Sequence, residues 1–257
     1  MHFWNKESLM GSIFNESMVW PSCDLCNNTG WKRNEFDEIV QKNGKDQHCK
    51  RCYLQNKFLN ANIGFDYWTI TSENWKGSQN DLIQIVKYFK NIDQLKEEGR
   101  GFYIYGEYGV GKTSLANMFL RQVLLTTNHS CLFVPFSELV VLNSKIMNGW
   151  HDKNIERAIT DIKDVDFLVL DDLAKEYDNE RDNGRATLNT ILRYRDSWRK
   201  PTIYTSNIPI EETLARYGGS NYSIIQGRST IVNMEQNADF RLKRKMIQEL
   251  NDEKEST

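Results

Sequence analysis

The sequence has no long hydrophobic run and no excess of basic charge, and each absence excludes a class of protein. No apolar stretch in the 257 residues approaches the roughly 18 that a membrane span needs. Residues 1–20 lack the basic start and continuous apolar core of a signal peptide, so we expect a cytoplasmic protein without a membrane partner. The formal net charge is −2, which excludes binding of nucleic acid through bulk positive charge. Any contact with nucleic acid must therefore be local.

Cysteines are few, and four of the five form two matched C-x2-C pairs separated by 22 residues. The pairs are Cys23 with Cys26 in "CDLC" and Cys49 with Cys52 in "CKRC". Two such turns can direct four thiolates at one tetrahedral Zn2+. A disulfide framework and a redox pair are the alternatives, and a reducing cytoplasm with an odd number of cysteines argues against the first. His48 could replace one ligand, whereas Cys131 lies in the apolar run "CLFVPF" and is expected to be an inert core thiol.

Residues 1–60 are predicted to form a small zinc-binding module, and residues 61–257 a larger domain. The module carries nearly equal numbers of acidic and basic residues, which excludes an electrostatic clamp for DNA. Because it has few apolar residues, metal binding is expected to supply much of its folding free energy. Trp4, Trp20 and Trp31 form either its small core or a docking surface for a partner.

Strand-like and helix-like segments alternate from Gly101 onward, which predicts an α/β fold with a central parallel sheet and flanking helices. The strand-like segments are "GFYIY", "SCLFVPF", "DFLVL" and "PTIYTSN", and the helix-like segments are "KTSLANMFLRQVLL", "SELVVLNSKIM" and "RATLNTILRYRDSW". Before them, helical spacing predicts an amphipathic helix with an apolar face formed by Leu82, Ile83, Val86, Phe89 and Leu95.

The segment between the first of these strands and its helix reads G-x-x-x-x-G-K-T. In this context the pattern predicts a loop that holds the phosphates of ATP with its backbone N–H groups. Lys112 is expected to neutralise the β- and γ-phosphates, and Thr113 to bind Mg2+. The residues predicted to contact the nucleotide here are Gly106, Tyr108, Gly109, Val110, Gly111, Lys112, Thr113 and Ser114.

Two acidic residues follow the buried strand in "FLVLDDL". Asp171 is expected to hold Mg2+ with Thr113, and Asp172 to orient or deprotonate the attacking water. The neighbouring strand ends in Thr205, Ser206 and Asn207, where a polar side chain can reach the γ-phosphate.

These motifs together resemble a family. The order G-x-x-x-x-G-K-T, "LVLDDL", "RY" and "TSN" after a cysteine-pair module is similar to the DnaC/DnaI-like AAA+ helicase loaders of bacteria and phages, over about residues 20–241. IstB-type transposition helper ATPases share much of this core. The resemblance implies that Asn207 is the sensor-1 residue, that Arg228 is an arginine finger for a neighbouring subunit, and that Arg241 is a sensor-2-like arginine. Loaders often carry a further arginine where this chain has Ile224.

The function that this resemblance implies is an ATPase that docks on a hexameric replicative helicase through residues 1–60 and delivers it onto single-stranded DNA. Only 50 residues follow Asn207, too few for a full helical lid and a further domain, so a neighbour is expected to close the nucleotide site in an ATP-dependent oligomer. In "NSKIMNGWHDK", Trp150 and Lys145 are candidates for DNA contact; a core tryptophan and a solvated lysine are the alternatives. The other functions considered are an IstB-like helper, a small-molecule P-loop kinase and a non-enzymatic zinc adaptor.

Overall fold

Five parallel strands form the centre of the larger domain. The computed structural model describes residues 31–36, 38–42, 44–72, 75–150, 152–175 and 181–237, and the structural statements below concern these residues. The strands of this sheet are β3 (Gly101–Tyr105), β4 (Cys131–Pro135), β5 (Phe167–Leu173), β6 (Thr202–Ser206) and β7 (Ser229–Asn233). The helices that accompany them are α4 (Lys112–Thr126), α5 (Phe136–Met147), α6 (Lys153–Asp164), α7 (Arg181–Ser197) and α8 (Thr213–Arg228).

The strand order is β4-β5-β6-β3-β7, and every neighbouring pair is parallel. Helices cover both faces of the sheet, because successive side chains of a buried strand point to opposite sides and each side needs an apolar cover. In β3, Phe102 and Ile104 join one core cluster, whereas Tyr103 between them joins the other. The α/β fold with a parallel sheet and flanking helices is confirmed. The fifth strand, β7, was not predicted from the sequence.

Two helices precede the sheet, α2 (Gln79–Lys90) and α3 (Ile92–Glu97). The apolar face predicted for this region is partly wrong. Ile83 and Val86 are exposed, whereas Leu82, Ile85 and Tyr88 are buried against the domain. Phe89 and Leu95 pack at the edge of the same core cluster. The helix carries apolar residues on more than one side, so its packing against the sheet layer, rather than its periodicity, determines which of them are covered.

The described part of residues 1–60 is a short hairpin followed by a helix. Strands β1 (Gln41–Lys42) and β2 (Lys45–Asp46) pair antiparallel, and α1 (Lys50–Asn60) follows. The exposed His48 ring stacks on Trp31 with ring centroids 4.5 Å apart. At the end of α1, Phe58 is buried in the core of the larger domain. The backbone N–H of Phe133 in β4 donates to the carbonyl of Ala61 at 2.8 Å, so this segment is anchored on the core around the five-stranded sheet. Trp4 and Trp20 lie outside the described residues.

From the sequence, Cys131 is expected in the core, and a core position is one of two alternatives for Trp150. Cys131 is buried, and burial raises the pKa of its thiol, as expected of an inert core residue. Trp150, by contrast, is 64% exposed after α5, so it is not a core tryptophan. Within the described ranges, no helix combines the length and the apolar character that crossing a bilayer requires.

Candidate nucleotide-binding site

The glycine-rich loop connects the end of β3 to the start of α4 at the carboxyl edge of the sheet. Gly111 precedes the helix with φ 97°, a left-handed conformation that side chains other than glycine rarely adopt. Gly106 lies against the backbone that follows β7, and a Cβ placed there would come within 2.9 Å of the carbonyl carbon of Met234. Both glycines are therefore required by the path of the loop. The loop ends at the N-terminus of α4, which favours anions.

Lys112 lies inside this loop and is only 5% exposed. Its ammonium donates to the carbonyl of Gly106 at 2.9 Å and to the carbonyl of Glu107 at 2.8 Å. Burial, and after it the charge of Lys175, lower the pKa of Lys112 to about 8. An anion in the loop would offset both effects, because it would supply the negative charge that the buried ammonium lacks.

Thr113 and Asp171 meet across the gap between α4 and β5. The Thr113 hydroxyl lies 2.9 Å from one oxygen of the Asp171 carboxylate and 3.2 Å from the other. Thr205 donates to the same carboxylate at 2.5 Å. Burial raises the pKa of Asp171 to about 6, although the hydrogen bond from Thr205 opposes this shift. The hydroxyl and the carboxylate offer hard oxygen ligands of the kind that Mg2+ prefers. Waters and phosphate oxygens would fill the other coordination positions of the metal.

Asp172 occupies the next position with φ 59°, an uncommon conformation for a residue other than glycine. Its backbone N–H donates to the Thr205 hydroxyl at 2.9 Å, so one threonine fixes both acidic residues. The Asp172 carboxylate pairs with the ammonium of Lys175 at 2.7 Å. Lys175 lies in turn over the ring of Tyr108, 5.1 Å from its centroid. A lysine thus connects the acidic strand end with the glycine-rich loop.

Asn207 follows β6 at the same edge of the sheet. Its side-chain oxygen is buried and accepts no hydrogen bond from the residues that the structure describes. A buried amide oxygen normally has a donor. This atom is therefore suited to a donor that comes with a ligand, such as a water held beside a phosphate.

Arg228 lies at the other edge of the sheet. It ends α8 immediately before Ser229, which pairs with Gly101 at the start of β3, whereas the glycine-rich loop follows the end of that strand. The guanidinium donates to the Asp196 carboxylate at 2.6 Å and to the carbonyl of Glu98 at 2.7 Å. Arg228 is consequently not part of the nucleotide site of its own chain.

The remaining site predictions fall in the terminal parts of the chain. Cys49 is buried at the start of α1, and Cys52 packs against it one helical turn later. Cys23, Cys26 and Arg241 lie outside the described residues. Among the residues for which coordinates are described, no group of three or more His, Cys, Asp or Glu side chains is arranged to hold a metal ion.

Sequence reasoning missed the roles of Thr205 and Lys175. The first is visible in the sequence only as one letter of "TSN", and its two contacts depend on the register of β6 beside β5. The second depends on the positive φ angles of Asp172 and Ala174, which turn the chain back toward the loop. No pattern in the sequence predicts that turn.

Comparison with known proteins gives one clear relative in sequence. No family model matches the chain. The replicative helicase loader DnaI of Bacillus subtilis (strain 168) is 30% identical over 177 residues, which cover 68% of this chain and 53% of that protein. The chain therefore spans about half the length of this relative.

Solved structures share the fold. The DnaC helicase loader has a TM-score of 0.60 at 23% identity, over 67% of this chain and 100% of that chain. DnaI has a TM-score of 0.55 at 22% identity, over 66% and 94%. The replication initiator DnaA bound to AMPPCP and single-stranded DNA has a TM-score of 0.51 at 21% identity, over 73% and 56%. With its sequence relative, its fold and its glycine-rich loop, this chain is a DnaC/DnaI-like member of the AAA+ helicase-loader family.

Proposed function

We propose that this protein binds and hydrolyses ATP with Mg2+. The observation that carries the proposal is the convergence of Lys112, Thr113, Asp171 and Asp172 at one edge of the sheet. Lys112 would leave the loop carbonyls for the β- and γ-phosphates, and Thr113 with Asp171 would hold Mg2+. The metal would add positive charge beside the phosphate oxygens, where charge develops during phosphoryl transfer.

In this proposal Asp172 orients the attacking water and Asn207 holds that water in line. The water oxygen forms a bond to the γ-phosphorus while the bond from that phosphorus to the β,γ-bridging oxygen breaks. ADP leaves with the electron pair of that bond, and the water proton passes to Asp172 and on to solvent. Arg228 would act on the ATP of a neighbouring subunit as an arginine finger, which agrees with its distance from its own loop. Arg241 is proposed to contact the nucleotide in the same assembly.

Two variants separate binding from hydrolysis. Lys112→Ala removes the charge in the loop and should abolish ATP binding, measured by calorimetry. Asp172→Asn keeps the shape of the side chain but removes its basicity, so it should bind ATP and release phosphate at a small fraction of the wild-type rate. Wild-type turnover in Asp172→Asn would refute the role of Asp172. Wild-type ATP affinity in Lys112→Ala would refute the site.

The biological role that we propose is loading of a hexameric replicative helicase onto single-stranded DNA. The support is the 30% identity to a replicative helicase loader together with the shared fold of DnaC. A nucleotide site completed by a neighbour would couple ATP to assembly, so ATP would act as a switch between free and assembled states.

Residues 1–60 are proposed to bind Zn2+ and to dock on the helicase. Cys49 and Cys52 already lie together at the first turn of α1, which is the arrangement expected of one half of a four-cysteine site. Cys23 and Cys26 would supply the other half. Because α1 also packs against α4, such a module would be joined firmly to the ATPase core.

Single-stranded DNA is proposed to contact the end of α5. Trp150 is exposed there and Lys145 lies nearby on the helix, so a base could stack on the indole while the ammonium pairs with a phosphate. Trp150→Ala should weaken binding of a fluorescent oligonucleotide about tenfold. Trp198 is similarly exposed immediately after α7, and Trp198→Ala is the matched control. Equal losses in the two variants would contradict a specific contact at Trp150.

A further inference from the structure

Lys175 lies beside Asp172 at the carboxyl edge of the sheet. It follows β5 by two residues, and its ammonium contacts Asp172, the acid assigned to the attacking water, at 2.7 Å. It also covers the ring of Tyr108 in the glycine-rich loop. Lys175 therefore reaches the part of the site where a terminal phosphate would be attacked.

The turn that carries Lys175 is built and held in place. Asp172 and Ala174 have φ angles of 59° and 75°, which cost free energy for residues other than glycine. Two hydrogen bonds fix this conformation: Asp172 N–H donates to the Thr205 hydroxyl at 2.9 Å, and Ala174 N–H donates to the Tyr217 hydroxyl at 2.8 Å. The lysine is thus presented to the site by a defined backbone and not by a loose loop.

Charge and exposure indicate that the contact with Asp172 is exchangeable. The side chains of Lys175 and Asp172 are 32% and 36% exposed, and ion pairs of that exposure contribute little stability. Lys175 is also the charged group that most strongly lowers the pKa of Lys112, so two ammonium groups compete for negative charge in one small volume. A triphosphate would supply phosphate oxygens to both ammonium groups, whereas a diphosphate has no γ-phosphate for Lys175 to contact.

We propose that Lys175 exchanges Asp172 for the γ-phosphate when ATP binds, which frees Asp172 for the attacking water and makes the site distinguish ATP from ADP. This inference rests on the proposed ATPase function. Lys175 is accordingly a ligand of the nucleotide and at the same time a positioning residue for Asp172.

The test measures the dissociation constants of ATP and ADP, with Mg2+, for wild type and Lys175→Met. A charge-assisted hydrogen bond to the γ-phosphate predicts that ATP binding weakens about tenfold or more while ADP binding changes less than twofold. Lys175→Arg retains a cationic donor and should restore most of the preference for ATP. Lys163 also lies over a tyrosine ring, that of Tyr194 on α7, and Lys163→Met is the matched control that should change neither constant.

A second measurement tests the exchange itself. If the ion pair competes with the phosphate, Asp172→Asn should tighten ATP binding several-fold, and this gain should disappear in the double variant with Lys175→Met. Equal losses of ATP and ADP affinity in Lys175→Met, or no loss of either, would overturn the inference. If wild type binds no ATP, or binds it independently of Lys112, the proposed function fails and not this inference alone.

Discussion

Thr205 offers the sharpest test of how the site is held together. Its buried hydroxyl donates to the Asp171 carboxylate and accepts from the backbone N–H of Asp172. Thr205→Val keeps the shape of the side chain and removes both contacts. Thr205→Ser keeps both contacts and removes one buried methyl group. The two variants therefore separate hydrogen bonding from packing at one position.

The structure sets the expected magnitudes. In Thr205→Val, the Asp172 N–H loses its acceptor, and leaving a buried donor unpaired costs about 2 kcal/mol. For a protein of this size that corresponds to a fall in Tm of about 4–8 °C. Thr205→Ser should cost about 1 kcal/mol for the lost methyl group. Because Asp171 and Asp172 lose their shared anchor, the Val variant should also hydrolyse ATP at least about tenfold more slowly.

The assay combines thermal unfolding with phosphate release at saturating ATP and Mg2+. The Ser variant should retain turnover close to wild type although it is less stable. If Thr205→Val hydrolyses ATP at the wild-type rate, or if Thr205→Ser loses as much activity as Thr205→Val, the hydroxyl does not position the acidic pair.

Three further predictions concern other parts of the chain. Arg195 is 1% exposed, and its guanidinium donates to the Thr202 hydroxyl and to five backbone carbonyls. Arg195→Lys should lower the free energy of unfolding by about 3 kcal/mol, because an ammonium cannot reach all of these acceptors at once. An unchanged denaturation midpoint would contradict this prediction. Purified protein should contain about one equivalent of Zn2+. Cys49→Ser should lose this metal, and the control variant Cys131→Ser should keep it. Wild-type protein without Zn2+ would refute the zinc proposal. Arg228→Ala should bind ATP normally but hydrolyse it about 10³-fold more slowly, and mixing this variant with Lys112→Ala should restore part of the turnover. The control is Asp196→Ala, which removes the same ion pair and should remain active. A loss of turnover in Asp196→Ala equal to that in Arg228→Ala would indicate a structural role for the ion pair.

The glycine-rich loop and the sheet were predictable because their signals are local. Strand formation by the apolar runs of β3 and β5 depends on residues that are neighbours in the chain, and so does the turn made by the glycines of the loop. The structure shows both strands in the parallel sheet and the loop at its carboxyl edge. Asp171 could be placed there because parallel strands end at the same edge. The contact of Thr113 with Asp171 then follows from the fold.

Features that depend on distant parts of the chain were not predictable. The buried Arg195 looks like a solvated helix residue in the sequence, and its acceptors come from the end of α6, the connection between α6 and β5, and the start of β6. Ile83 and Val86 were misplaced because an apolar side chain alone does not say which side of a helix meets the core. Lys175 could not be placed because its turn depends on hydrogen bonds that the backbone N–H groups of Asp172 and Ala174 donate to the hydroxyls of Thr205 and Tyr217, 33 and 43 residues further along the chain.

We propose that ATP controls binding of this protein to a replicative helicase. The direct measurement mixes the purified chain with the hexameric helicase of the same genome and determines the mass of the complex by light scattering, with ATP, with ADP and without nucleotide. We predict a complex that contains both proteins and changes in composition with ATP, and Lys112→Ala should give the same result in all three conditions. Separate elution of the two proteins in every nucleotide state, at concentrations where the helicase is hexameric, or a complex of the same composition with ATP, with ADP and without nucleotide, would contradict this proposal.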